Sequence, residues 1–242
     1  MTTHQAVRWV VKPPLFALSL LPFARLARAM LGLAGLAGLE RFAGELGADP
    51  LQTITNDTGV WALRFLCLTL AITPVRRLTG WHPIIRLRRM LGLFAFFYGS
   101  LHLLIFIVFD RLAGMGFPSL LAASTYGALV RSVGGEVIKR PYITVGFASW
   151  AMMLALAATS TAGMIRRLGG RRWQALHRAV YAAAAAGVLH YWWSVKADVR
   201  RPAAYGAVVA VLLALRFAWW LARARAWRRS SARAGAPRSV GF

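Results

Sequence analysis

The sequence has one cysteine, Cys67, and only 7 acidic residues in 242. A lone cysteine excludes an internal disulfide, a CxxC redox pair and the CxxCH attachment of c-type haem. Its apolar setting, RFLCLTL, suits a buried thiol. The few carboxylates stand against 30 lysines and arginines, a formal charge of +23. Such charge marks either a nucleic-acid or an anionic-lipid partner. Its placement decides between them. The arginines cluster between apolar blocks, where membrane proteins carry them. Lipid is therefore the expected partner, and nucleic acid is not.

Hydrophobic residues make up 58% of the chain, against about 45–50% in soluble proteins. They gather in blocks about twenty residues long, enough for a helix to cross a hydrocarbon core of about 30 Å. Three blocks carry no charge: residues 91–109 (LGLFAFFYGSLHLLIFIVF), 141–165 and 179–195, the last extendable back to Trp173. Residues 202–215 continue through Arg216 to about Leu221. Two further blocks are interrupted, 59–75 by Arg64 and 13–30 by Arg25 and Arg28. An arginine at a helix centre costs about 2.5–3.5 kcal/mol on the insertion scale, less where it reaches the interface. The first run lacks a small-residue cleavage site and reads as a span rather than a signal peptide. The expectation is an all-α membrane protein, a bundle of six transmembrane helices, or five if the first lies on the surface.

Arginine placement orients the bundle. Arg76, Arg77, Arg86, Arg88 and Arg89 follow the second span. Arg166, Arg167, Arg171, Arg172 and Arg178 follow the fourth, and the tail from Arg223 to Arg238 follows the sixth. The connections on the other side carry fewer basic residues, among them Arg41, Arg131 and Lys196. By the positive-inside rule the rich side is cytoplasmic, with both termini there. Tyr191, Trp192 and Trp193 then fall at the outer interface, as an aromatic belt does. The GLAGLAG segment (32–38) lacks the spacing and the preceding strand of a nucleotide loop.

Three of the five histidines lie in strong spans. A neutral imidazole is a good iron ligand and a poor lipid-facing group, and haem iron takes axial histidine. At 1.5 Å per residue, His102 lies roughly 18 Å in from the cytoplasmic end of its span, His190 roughly 25 Å and His177 roughly 6 Å. His102 and His190 are the expected axial pair for a b-type haem. The competing reading is a histidine that only bonds a neighbouring helix. Two such residues at compatible depth favour ligation. His177, thirteen residues from His190, cannot share that haem. It is left to a second haem, a flavin edge or the interface. The position on the third span that would complete a second pair is Arg89. His82, in a WHP turn, is expected to be solvated, and His4 is assigned nothing. Arg88 and Arg89, with Arg86 and Arg172, are candidates for a flavin phosphate, because guanidinium binds phosphate bidentately.

These residues sit in a recognisable series: ITPVRR (72–77), IIRLRRMLGLF (84–94), the LHL around His102, KRPYITVG (139–146), LALAATST (154–161) and WQALHRAVY (173–181). In this order, from LGADP (46–50) to HYWWSVK (190–196), the chain resembles the MsrQ (YedZ) family of the ferric-reductase-like transmembrane group. The resemblance implies six transmembrane helices in a bacterial inner membrane, b-type haem, and FMN as a second cofactor. It further implies electrons arriving from a cytoplasmic flavin reductase. They would leave to a periplasmic molybdopterin-dependent methionine sulfoxide reductase, MsrP-like, that repairs oxidised proteins. The family's histidines match His102, His177 and His190.

The resulting expectation is an electron-transfer subunit rather than a catalytic one. It comprises an N-terminal span and connection (1–45), a haem domain (46–222) and a basic tail (223–242). No stretch between spans is long enough to bind a nicotinamide, so the electrons are expected from another protein. Two readings compete: a self-contained haem-dependent ferric or oxygen reductase, and a haem-free transporter or scaffold. The latter would be expected to show inverted repeats, and no convincing repeat is visible.

Overall fold

The computed structural model describes residues 5, 7–112, 123–195 and 197–234; His4, Lys196 and Arg238 lie outside them. Eight α-helices occur among the described residues, with no strand. We number them α1 (Lys12–Leu33), α2 (Pro50–Thr79), α3 (Leu87–Ile105), α4 (Ala123–Lys139), α5 (Pro141–Ala158), α6 (Ala162–His177), α7 (Ala179–Ser194) and α8 (Arg200–Ala234). The boundaries follow from local chemistry. Asp49 caps α2 by accepting from Gln52 N at 2.9 Å, and Pro50 occupies its first turn. Proline suits that place because the first turn has no use for its missing N–H. Gly80 ends the helix in the left-handed region (φ 68°), as glycine does without a Cβ penalty.

Five helical stretches are long and apolar enough to cross a membrane: Trp9–Leu33, Pro50–Thr79, His82–Phe109, Pro141–Ala158 and Arg200–Trp227. The protein is a helical membrane protein, but six independent spans are not established. The one that falls short is α7, with 16 residues, about 24 Å at the helical rise. It follows α6 directly, through Arg178. The block expected over 141–165 stops at Ala158. Thr159 and Ser160 turn their hydroxyls back onto Ala155 O and Leu156 O (both 2.7 Å), and Thr161 caps the next helix at Met164 N. Two stretches read as connections are helical, α4 and α6. The arginines of α6 lie on a helix kinked at Gly169, where φ is 71°.

α2 and α3 form one packed pair and α5 and α7 another. The first is cemented by aromatics: Phe65 stacks on Tyr98 and on Phe94, centroids 5.4 Å apart in each case. The second is cemented by small residues. Ala183 and Ala184 are fully buried, and Ser149 Oγ donates to Ala183 O at 2.8 Å. Small side chains let membrane helices approach closely enough for such bonds. Cys67 is buried, and His82 is exposed.

The arginines that interrupt the apolar blocks, Arg25, Arg28, Arg64 and Arg216, have partners. Arg64 Nε donates to the Tyr205 hydroxyl at 2.9 Å and its guanidinium lies 4.4 Å over Trp61. Arg25 and Arg28 grip the two oxygens of Glu45 at 2.9 and 2.8 Å. Arg216 donates to Leu212 O (2.9 Å) and to Leu70 O, tying α8 to α2. For Arg216, half-buried between α8 and α2, the pairing replaces the water that the bilayer withholds, whereas the Arg25–Arg28–Glu45 cluster is exposed.

Candidate functional site

The helix packing sorts the histidines to opposite ends. His102, on α3, and His190, on α7, come together with ring centroids 6.0 Å apart and planes at 78°. They lie toward the end of the bundle where α2 and α5 begin. His102 Nδ1 is 2.9 Å from Thr55 O, near the start of α2, and His190 Nδ1 is 2.7 Å from Tyr142 O, at the start of α5. A carbonyl oxygen can only accept, so Nδ1 carries the proton in both rings. In the neutral imidazole this leaves the lone pair on Nε2. Two donor nitrogens on two helices are thus fixed in tautomer, each by a further helix.

Sequence reasoning missed the supports of this pair, which are backbone atoms and glycines. A Cβ built on Gly59 would lie 3.1 Å from His102 Nδ1, and one on Gly146 would lie 2.6 Å from His190 Nδ1. Only the helical spacing of Thr55 to Gly59 and Tyr142 to Gly146 hinted at a shared face. Glycine is common in membrane helices for other reasons.

His177 lies at the arginine-rich end. Its ring stacks on Trp173 with centroids 3.9 Å apart, and Nδ1 is 3.0 Å from Trp173 O. The Ser160 hydroxyl donates to Leu156 O and sits 3.5 Å from His177 Nε2. Arg88, Arg89, Arg178, Trp173 and His177 line a cavity of about 510 Å³ whose apolar wall includes Leu66, Met153 and Val180. That volume falls within the range of small-molecule sites, about 300–1,000 Å³. Of the arginine candidates, Arg88 and Arg89 line it; Arg86 and Arg172 are not in its wall. Trp173 and Arg178 had not been singled out as part of such a site. The signal lay in WQALHRAVY, where both flank His177 within one helical turn or so.

A multi-helix membrane bundle with histidines facing across it is the architecture of a known class. Residues 58–188 match the family described as ferric reductase like transmembrane component. Over 224 residues the chain is 46% identical to the protein-methionine-sulfoxide reductase heme-binding subunit MsrQ of Herminiimonas arsenicoxydans, covering 92% of this chain and 88% of that one. It is 47% identical over 215 residues to the subunit of the same name from Ralstonia nicotianae (88% and 87% covered). The identity is 48% over 188 residues with that of Xanthomonas euvesicatoria pv. vesicatoria (78% and 75%). The chain belongs to the MsrQ family, within the ferric-reductase-like transmembrane group.

Proposed function

We propose that this chain is the membrane electron-transfer subunit of a protein-methionine-sulfoxide reductase system, in which His102 and His190 would hold one b-type haem. The single observation carrying this is the spacing of the two rings. The rings come from different helices and lie 6.0 Å apart, centroid to centroid. Each commits Nδ1 to a backbone carbonyl, so that both Nε2 atoms would be free to hold a haem iron. The Nδ1–H···O=C bonds are the outer-shell contacts that ligating histidines usually make. They hold each ring and raise the basicity of its Nε2. The names of the relatives, heme-binding subunits, support the same assignment.

The arginine-rich cavity is the proposed place for FMN. Arg88 and Arg89 would hold its phosphate bidentately, Trp173 offers an aromatic face, and His177 lines the wall. When bound, haem supplies a one-electron carrier, and FMN a group able to receive electrons from a flavin reductase. The proposed path runs from a cytoplasmic flavin reductase, at the arginine-rich end, to a periplasmic MsrP-like molybdopterin enzyme at the other. Six spans in the bacterial inner membrane, α7 included, would put both termini in the cytoplasm.

A second reading, a self-contained ferric reductase, is favoured by the description of the matching family. One experiment separates the two. The purified protein in anaerobic lipid vesicles receives NADPH with a flavin reductase, followed by the periplasmic partner and oxidised methionine. The proposal expects haem absorbance to show reduction only with the reductase present, and reoxidation only with the partner. Reoxidation by ferric chelate at the same rate, without the partner, would support the ferric reductase instead.

A further inference from the structure

We infer that Gly59 and Gly146 are positioning residues, each forming with the carbonyl one turn earlier a notch that seats an imidazole of the His102–His190 pair. The inference rests on the haem reading above.

The same device occurs twice, on different helices. In a regular helix the carbonyl of residue i lies beside residue i+4. On α2 the acceptor is Thr55 O and the glycine is Gly59; on α5 they are Tyr142 O and Gly146. Each histidine therefore donates Nδ1–H to a carbonyl while its ring lies over the glycine on the same face of that helix.

The contacts separate this role from ordinary glycine packing. The three atoms nearest a Cβ on Gly59 or Gly146 all belong to one imidazole, at 3.1–3.7 Å and 2.6–2.9 Å respectively. At Gly187, in the same bundle, they are Leu63 Cδ1, Ser149 Oγ and Leu66 Cδ1 at 3.6–4.0 Å, ordinary van der Waals distances. A methyl at position 146 must displace the His190 ring or break its bond to Tyr142 O. At position 59 a movement of a few tenths of an ångström suffices. The two substitutions are therefore graded, with Gly146→Ala the more severe.

The consequence is chemical. Loss of an outer-shell partner typically weakens metal binding by about 10–100-fold. The hydrogen bond and ring orientation also tune the reduction potential of a haem. Alanine is the better helix former, so an effect on the helix alone would leave the fold unchanged or more stable.

The test uses the full-length protein, as wild type, Gly59→Ala, Gly146→Ala and Gly187→Ala. The readouts are haem-to-protein ratio, low-temperature electron paramagnetic resonance, midpoint potential and gel-filtration profile. Gly146→Ala is expected to lose most of its haem. Gly59→Ala is expected to keep haem, with an altered low-spin signal and a shifted potential. Gly187→Ala should match wild type. Folded Gly146→Ala with wild-type occupancy, signal and potential overturns the inference. Should Gly146→Ala fail to fold, an unaltered signal and potential in Gly59→Ala overturns it equally. A wild type that takes up no haem overturns the haem reading, and the notches with it.

Discussion

Replacing Tyr98 by phenylalanine removes one oxygen from the centre of the bundle. Tyr98 is fully buried on α3, and its hydroxyl reaches α1. It donates to Ser19 O at 2.7 Å and accepts from Phe23 N at 3.1 Å. A regular helix would pair those two groups with each other. Pro22, between them in sequence, lacks the N–H that would bond Leu18 O and crowds that carbonyl, in the turn that also holds Ser19 O and Phe23 N. The tyrosine hydroxyl thus bonds two backbone groups of the turn that the proline distorts, and proline is a recognised cause of a kink. Phenylalanine keeps the ring and its stacking on Phe65 but removes both bonds to α1. An orphaned buried group costs about 1–3 kcal/mol, while single interhelical bonds in membranes average about 0.6 and reach about 1.7. Two bonds lost together, one at the half-exposed Phe23, predict a loss of about 1–2 kcal/mol. Equilibrium unfolding in mixed detergent micelles measures it. In a Pro22→Ala background the ladder can close without the hydroxyl, so Tyr98→Phe should cost clearly less there. A change below about 0.5 kcal/mol in the wild-type background, the size of a neutral surface substitution, would refute the reasoning.

Two other predictions concern the ends of the bundle. Arg88→Ala with Arg89→Ala is expected to abolish flavin copurification, or weaken FMN binding at least tenfold, while the visible spectrum of the His102–His190 haem persists; fluorescence of released flavin reads this out. At the opposite end the hydrogen bond from Arg25, aided by Arg28, holds the Glu45 carboxyl below its ordinary value near 4.5. A depressed carboxylate stabilises the fold above its unfolded pKa, and the contribution fades as pH falls through the folded one. Hydrogen exchange of residues 40–46, corrected for intrinsic rates, should show protection that is constant from neutral pH to about 5 and declines below that range. Glu45→Gln should lack this acid-dependent step, and an identical step in that variant would assign it to another group.

The spans were legible because the bilayer demands length and apolarity, and both are properties of a sequence. What limits a span was less legible. α5 ends at Ala158 through the hydroxyls of Thr159 and Ser160, inside a run that reads as continuous. α4 was read as a connection because its apolar residues are diluted by Arg131, Gly134, Gly135 and Glu136; with 17 residues it is not among the helices long and apolar enough to cross a membrane. Arg64 was a visible anomaly, but its partner Tyr205 is 141 residues away. Depth arithmetic brought out His102 and His190, since helical rise is nearly constant. Their supports at Thr55 O and Tyr142 O could not be read, because every residue offers a carbonyl and only packing selects one. The inner cavity was half legible. Its arginines stood out, whereas Trp173 resembled any interfacial aromatic.

The central claim is that two histidines on different helices hold one haem. The most direct test is the visible absorption spectrum of the detergent-purified protein, oxidised and dithionite-reduced, as wild type, His102→Ala, His190→Ala and His177→Ala. The account predicts a b-type spectrum in the wild type and its loss in His102→Ala and in His190→Ala. In His177→Ala the spectrum of that haem should remain. A wild type that stays colourless despite adequate haem supply, or a spectrum that survives removal of either paired histidine, would contradict it.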